Sequence, residues 1–133
     1  MILLGIDYGE KRVGLALSNN SAATPLTALD NTNETYTIQE IIRYGIENKV
    51  SKFIIGLPLT ADNKETPMAR IIKRFGKKIK IYSKKPVEYQ NEFGSSETAL
   101  DYAIDLGVSK KRRKVNDALA ATLILKNYIS DHS

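Results

Sequence analysis

The first thirty residues alternate between short apolar runs and turn-forming positions, a pattern typical of consecutive β-strands. Residues 2–7 form an apolar run that ends in a carboxylate, and a glycine-containing turn separates this run from residues 12–18. Apolar Val13, Leu15 and Leu17 alternate in the second run, which predicts a β-hairpin. Residues 24–29 predict a third strand, and Pro25 favours a place for that strand at an edge of the sheet.

The rest of the chain predicts helices that alternate with two further strands. Apolar residues recur at helical spacing over residues 35–48, and again from Pro67, a residue suited to the first turn of a helix, to Tyr82. Residues 53–57 and 86–91 predict strands, and residues 95–107 and 115–129 predict two more helices. This order predicts an α/β fold with one mixed five-stranded sheet, three antiparallel strands followed by two parallel ones, flanked by helices.

Length and composition limit the classes of protein that this pattern can build. The chain has 133 residues, which predicts one domain over 1–133, and 42% of the residues are hydrophobic, enough for a packed core. The absence of cysteine excludes disulfides, zinc–thiolate sites and thiol nucleophiles, and it favours a cytoplasmic protein. The longest apolar run, residues 53–59, is too short to cross a bilayer, so we expect no membrane partner.

Basic residues outnumber acidic ones and are concentrated in a few places. The chain has 20 Lys and Arg against 15 Asp and Glu, a net charge of +5, which favours a polyanionic partner. Five consecutive cations precede the last predicted helix, and we expect them to form a mobile basic loop that contacts phosphates. These cations are Lys110, Lys111, Arg112, Arg113 and Lys114.

Two further groups of cations could contact nucleic acid. Lys11 and Arg12 flank the hairpin turn and could hold a phosphate oxygen, although Arg12 could equally be structural. Residues 68–85 contain eight basic residues and no acidic one, which fits either a second phosphate-contacting surface or an ordinary solvated helix face. Neither group predicts base-specific contacts, so we expect recognition of backbone shape.

Three carboxylates lie where a negative charge needs a partner or a solvated surface. Asp7 ends the apolar first strand, Glu92 follows the strand at 86–91, and Asp117 lies on the inward face of the last helix beside small alanines. A buried carboxylate is costly unless a cation or hydrogen bonds satisfy it, so each is a candidate metal ligand. Alternatively, Asp7 could cap the turn, Asp117 could be a first-turn residue favoured by the helix dipole, and Glu92 could be solvated.

The predicted sheet could bring these three carboxylates together. If the strand at 53–57 lies between the strands that end at Asp7 and Glu92, the outer two backbones are about 10 Å apart. Gly56, without a side chain, would leave room between them. Three carboxylates without a histidine cluster suit Mg²⁺ or Mn²⁺, and two such ions can activate a water and stabilise the leaving oxygen of a phosphodiester.

Three segments resemble the motifs of the YqgF/RuvX family of small RNase H-like proteins. They are GIDYGEKRVGLA at 5–16, GLPL at 56–59 and DALAA at 117–121. The resemblance implies an RNase H-like fold and metal-dependent phosphodiester hydrolysis, either in 5′-end processing of pre-16S rRNA or as a Holliday junction resolvase acting on branched DNA. It implies that Asp7, Glu92 and Asp117 are catalytic residues and metal ligands, supported by Gly9, Gly56, Ser95 and Ser96.

The chain departs from the family pattern in the middle motif. The family carries Asp-Glu-Arg where this sequence has Asn91, Glu92 and Phe93, so one charge and one phosphate-pairing guanidinium are missing. A non-catalytic RNA- or ribosome-binding factor with a decayed active site is therefore an alternative to a nuclease. If the substrate is branched DNA, a homodimer would suit two symmetric cuts.

Overall fold

The computed structural model describes residues 1–19, 22–62, 64–92 and 110–132, with only the backbone of Lys110 and Lys111. Its first three strands form an antiparallel unit: β1 (Ile2–Asp7), β2 (Arg12–Asn19) and β3 (Ala22–Asp30). β2 pairs with β1 on one side and with β3 on the other. Pro25 lies in β3, which is an edge strand as predicted.

Two parallel strands and three helices follow in the described part of the chain. Both β4 and β5 run parallel to β1, and the strand order is β3-β2-β1-β4-β5. The predicted mixed five-stranded sheet is therefore confirmed. The elements are α1 (Glu34–Glu47), β4 (Lys52–Leu57), α2 (Pro67–Ser83), β5 (Val87–Asn91) and α3 (Lys110–Asp131).

The helices cover both faces of the sheet, because successive residues of each strand point to opposite sides. On one face, Leu4 and Ile6 of β1 pack in a core that includes Ile41 of α1 and Phe75 of α2. On the other face, Leu3 packs in a smaller core formed with α3. Every strand position can therefore be assigned either to the α1/α2 face or to the α3 face.

α3 approaches the sheet closely because glycines remove side chains beneath it. A Cβ atom at Gly14 would overlap the backbone carbonyl oxygen of Asp117, and one at Gly56 would lie 2.5 Å from Cδ1 of Ile124. The Cγ atom of Glu92 would lie 3.0 Å from that same Gly56 position. The space at Gly56 is thus filled by two side chains, and it is not the room for metal ions that the sequence suggested.

A polar network fastens the far end of α3 to the sheet. Nζ of Lys52 lies 2.7 Å from a carboxylate oxygen of Glu88, and the hydroxyl of Tyr128 donates to the same oxygen. Nε2 of Gln90 donates to Asp131 over 2.7 Å. These contacts tie α3 to β4 and β5 and so help to set its direction across the sheet.

The run of cations at 110–114 lies in the first turns of α3 and not in a mobile loop, which corrects the expectation from sequence. Lysine and arginine are good helix formers, and Nζ of Lys114 lies 3.4 Å from an oxygen of Asp30 at the end of β3. The helix predicted at 95–107 lies outside the described residues. No helix in the described part of the chain is both long and apolar enough to span a membrane.

We expect Gly14→Ala to displace α3, because its methyl group would overlap the α3 backbone. The substitution should lower the free energy of unfolding by about 1–3 kcal/mol. It should also speed amide hydrogen exchange around Asp117. Gly45→Ala is a matched control, since its added Cβ would lie 2.8 Å from the ring of Phe53 on the other face. Exchange in α3 as slow in Gly14→Ala as in Gly45→Ala would contradict the assigned role of Gly14.

Candidate active site

Asp7 is the last residue of β1 and faces α3. Leu3 and Gly5 precede it at two-residue intervals, and both positions lie against α3, Gly5 directly beneath Leu125. The alternation of strand side chains therefore turns Asp7 toward the same helix. Asp7 pairs with Gly14 of β2 in the sheet register and is half-buried.

Glu92 reaches the same side from β5. Its backbone N–H donates to the carbonyl oxygen of Leu57 over 3.0 Å, so the parallel hydrogen-bond ladder continues one residue beyond the end of β5. Gln90, two residues earlier, contacts Asp131 of α3, and the same alternation turns Glu92 toward α3. Only 4% of Glu92 is exposed. Glu92 is thus a buried residue and not a solvated one.

Asp117 comes from α3 itself and is held by an arginine. Its residue is 7% exposed, and its backbone lies directly over Gly14. Nε of Arg12 donates to Oδ2 of Asp117 over 2.6 Å. Arg12 precedes Gly14 by two residues, so both face α3. The sequence left open whether Arg12 contacts phosphate or has a structural role. In the structure, Arg12 forms an ion pair with Asp117, a predicted catalytic acid.

The negative charges of Asp117 and Glu92 both act on the side chain of Asp7. Burial, followed by the negative charges of Asp117 and Glu92, raises the pKa of Asp7 from 3.8 to about 7. Burial disfavours the charged form of an acid, and neighbouring carboxylates disfavour it further. The fold therefore brings together the three acids that the sequence singled out, at the edge of the sheet where β1 and β5 end.

The turn between β1 and β2 positions Arg12. A Cβ atom at Gly9 would lie 2.5 Å from the carbonyl oxygen of Arg12, so glycine permits the tight turn. Asn31 closes the turn from outside: its Nδ2 donates to the carbonyl oxygen of Gly9 over 2.9 Å, and its backbone N–H donates to that of Lys11 over 2.8 Å. Sequence reasoning missed Asn31, because a polar residue after a strand carries no pattern that links it to a distant turn.

The predicted phosphate-contacting residues are distributed around this edge. Lys11 is exposed at the turn, and Arg112 and Arg113 are exposed on the first turns of α3, five and four residues before Asp117. Lys114 pairs with Asp30. The side chains of Lys110 and Lys111 lie outside the described part of the structure, as do Ser95 and Ser96.

The donor chemistry of the cluster fits a hard divalent ion. Its three side chains offer only carboxylate oxygens, the ligands that Mg²⁺ and Mn²⁺ prefer, and their mutual repulsion favours a nearby cation. Within the described ranges, however, no three acidic or histidine side chains are arranged to share one ion.

The sequence matches one family over almost its whole length. The family described as "RuvX: Holliday junction resolvase" matches residues 1–131. The chain belongs to the RuvX family. A relative from Streptococcus gordonii, named "Putative pre-16S rRNA nuclease", is 35% identical over 135 residues, covering 97% of each chain. A relative of the same name from Rickettsia canadensis is 32% identical over 130 residues, covering 96% of this chain and 84% of the relative.

Solved structures confirm the predicted RNase H-like fold of this RuvX-family chain. Thermus thermophilus RuvC in complex with a Holliday junction substrate superposes with a TM-score of 0.63 at 13% identity, covering 99% of this chain and 95% of RuvC. The fowlpox virus Holliday junction resolvase superposes with a TM-score of 0.59 at 20% identity, covering 98% and 99%. The predicted family is confirmed as well, and with it a nuclease as the class of function.

We expect Asp7→Asn to stabilise the metal-free protein at alkaline pH. The folded-state pKa of about 7 exceeds the ordinary value of 3.8, so the favourable contribution of Asp7 is complete below pH 3.8 and is lost as pH rises through 7. In EDTA, the variant should gain about 1–3 kcal/mol in free energy of unfolding at pH 8 and almost nothing at pH 4.

Asp62→Asn is the control for this pH dependence. Asp62 is an exposed acid whose pKa is lowered, chiefly by a hydrogen bond from Thr60, so its loss should not stabilise the protein at pH 8. Denaturant titrations at both pH values measure the effect. An Asp7→Asn variant no more stable than the parent protein at pH 8 would show that burial and the neighbouring carboxylates do not raise the pKa of Asp7.

Proposed function

We propose that this chain is a metal-dependent nuclease that hydrolyses phosphodiester bonds of structured RNA, processing the 5′ end of pre-16S rRNA in the cytoplasm. The observation that carries the proposal is the meeting of Asp7, Glu92 and Asp117 at one edge of the sheet. RNA is favoured because the curated relatives bear the name pre-16S rRNA nuclease. The chain spans 84% and 97% of the length of these two relatives.

Asp7, Glu92 and Asp117 would hold Mg²⁺ or Mn²⁺ in a two-ion site. Such ions activate a water molecule and stabilise the leaving oxygen of a phosphodiester. The carboxylates themselves must be ionised to act as ligands, and Asp7 is only partly ionised at neutral pH because its pKa is about 7. Binding of an ion would therefore release a proton from Asp7.

The cations around the edge would bring the substrate to the acids. Lys11 is exposed in the turn that follows β1, the strand that ends at Asp7. Arg112 and Arg113 are exposed on α3, the helix that carries Asp117. Phosphate contacts of this kind position a nucleic-acid backbone without reading its bases. The N-terminal end of α3 adds the positive end of a helix dipole beside them.

The missing charge at Asn91 does not remove an acid from the cluster. Asn91 is the last residue of β5 and is exposed, and it lies between Gln90 and Glu92, which face α3. Strand alternation therefore turns Asn91 toward the opposite face from the three acids. This geometry favours a working nuclease over a non-catalytic binding factor.

Branched DNA is the second candidate substrate. The family description and the structural neighbours name Holliday junction resolvases, and a four-way junction and a folded RNA both present bent phosphodiester backbones. A homodimer would place two copies of the site for paired cuts in such a junction. Comparing the two substrates under identical conditions decides between them.

We expect Asp7→Asn, Glu92→Gln and Asp117→Asn each to reduce Mn²⁺-dependent cleavage at least about 100-fold while leaving RNA binding intact. Each change removes a charge from the ligand set but preserves side-chain size. The assay compares a precursor 16S rRNA fragment with a four-way DNA junction across a Mn²⁺ titration. Asp62→Asn, an exposed loop acid, is the control and should cleave at the parental rate.

Three outcomes would contradict the proposed function. Parental rates in all three variants would exclude the acidic cluster as the catalytic centre. Tight RNA binding by the parent protein without cleavage at any Mn²⁺ concentration would favour the binding factor instead. Faster cleavage of the four-way junction than of the RNA would make branched DNA, and not RNA, the favoured substrate.

Arg12→Gln should make the metal-free protein less stable and increase its stabilisation by Mn²⁺. Without the guanidinium, Asp117 is a buried acid beside two others, so the apo protein should lose about 2 kcal/mol. An added cation would then relieve more repulsion than in the parent. The measurement is the thermal midpoint in EDTA and in saturating Mn²⁺.

Arg43→Gln is the matched control for this measurement. Arg43 is exposed and pairs with Glu40 and Glu47 of α1, each at 2.8 Å, far from the acids. Its loss should have little effect on the free energy of unfolding and leave the Mn²⁺-induced shift unchanged, because exposed ion pairs contribute little to stability. Equal Mn²⁺-induced shifts in Arg12→Gln and in the parent would show that Arg12 does not offset the charge of the site.

A further inference from the structure

The exposed face of α2 carries positive charge only. The helix buries Ala69, Ile72, Phe75 and Ile79 against the sheet. Its remaining positions include many cations, and no acidic residue occurs anywhere in residues 67–83. The exposed cations of the helix are Arg70, Lys73, Arg74, Lys77, Lys78 and Lys80.

These cations divide into two classes by their contacts. Nζ of Lys73 lies 3.2 Å from a carboxylate oxygen of Glu65, and Nζ of Lys78 lies 3.0 Å from one of Glu34. Arg70, Arg74, Lys77 and Lys80 form no ion pair with any residue that the structure describes. Both classes are exposed on the same helix, so what distinguishes them is whether they form an ion pair.

Three of the unpaired cations form a continuous row, which we call the α2 row: Arg70, Arg74 and Lys77. Their spacing of four and then three residues places them on one side of the helix, with neighbouring Cβ atoms about 5–6 Å apart. The row is therefore about 10 Å long at a rise of 1.5 Å per residue. One nucleic-acid strand could contact all three side chains at once.

The row begins near the edge of the sheet that holds the acids. β4 ends at Leu57, which pairs with Asn91 beside Glu92. The hydroxyl of Thr66, the N-cap of α2, donates to the carbonyl oxygen of Pro58 over 2.9 Å, so the start of the helix is tied to this edge. From there α2 covers the face of the sheet opposite α3. The α2 row thus leads away from the acidic cluster.

We propose that the α2 row binds the phosphate backbone of the RNA substrate beyond the cleavage site. This inference rests on the proposed function and extends it, because it assigns a second contact surface that a substrate reaches by passing over the edge of the sheet. Three unpaired charges of one sign at regular spacing complement a polyanion of regular charge. The contact would increase affinity for long substrates without taking part in cleavage.

The test compares two double variants of the same helix. Arg74→Gln/Lys77→Gln removes two unpaired cations, and Lys73→Gln/Lys78→Gln removes two paired ones, so both lower the net charge equally. Binding is measured in EDTA with a long precursor 16S rRNA fragment of about 40 nucleotides and a short one of about 12, at several salt concentrations. Short-fragment cleavage in Mn²⁺ is measured separately.

We expect Arg74→Gln/Lys77→Gln to weaken binding of the long RNA about 10-fold and to lower its salt dependence by about one to two phosphate contacts. Lys73→Gln/Lys78→Gln should weaken binding of the long RNA less than about 3-fold. Neither double variant should change binding of the short RNA. Cleavage of the short RNA should stay at the parental rate in Arg74→Gln/Lys77→Gln.

Two outcomes would overturn the inference. If both double variants weakened binding of the long RNA equally, the effect would come from the overall charge of the protein and not from the α2 row. Unchanged RNA binding, with loss of binding to poly-glutamate in Arg74→Gln/Lys77→Gln alone, would assign the row to an acidic protein partner. Because binding is measured without metal, a parent protein that fails to cleave would refute the nuclease and still leave the binding comparison decisive.

Discussion

The close contact between α3 and the sheet at Gly14 is the constraint on which the candidate site depends. Two of the acids, Asp7 and Glu92, lie at the ends of β1 and β5, parallel strands with β4 between them, and the sheet alone determines the separation of their backbones. The third is carried by a helix about 110 residues further along the chain than Asp7. Only because the α3 backbone lies directly on Gly14 does Asp117 come within reach of Arg12 and Asp7.

Bringing three acids together destabilises the fold locally, and the rest of the structure must offset this cost. Burial and two neighbouring carboxylates raise the pKa of Asp7 to about 7, which is an unfavourable interaction in the ionised state. Arg12 offsets part of it by pairing with Asp117. At the other end of α3, Lys52 and Glu88 help to hold the helix in place. A local strain of this kind is typical of functional sites.

The sequence predicted a mixed sheet of three antiparallel and two parallel strands and singled out the three acids, because these features depend on local periodicity and on handed crossovers. It placed the 53–57 strand between the strands that end at Asp7 and Glu92 only as a condition. It could not predict that residues 110–114 are helical, since a run of cations fits a loop and a helix equally well. It left Arg12 undecided between phosphate and structure, because the partner of Arg12 is 105 residues away. Likewise, the sequence suggested room for metal ions at Gly56, but side chains of Ile124 and Glu92 lie there, contacts that no local pattern reveals.

The distribution of charge resolves a conflict that any acidic site for a polyanion must meet. A cluster of carboxylates repels phosphates, yet the chain has a net charge of +5 and exposes cations on several sides. Glu92 and Asp117 are buried and Asp7 is half-buried, whereas Lys11, Arg113 and the α2 row face solvent. At distances near the Debye length of about 8 Å, an approaching nucleic acid therefore meets mainly positive charge. It meets the acids only at contact distance, where a bound cation would neutralise them.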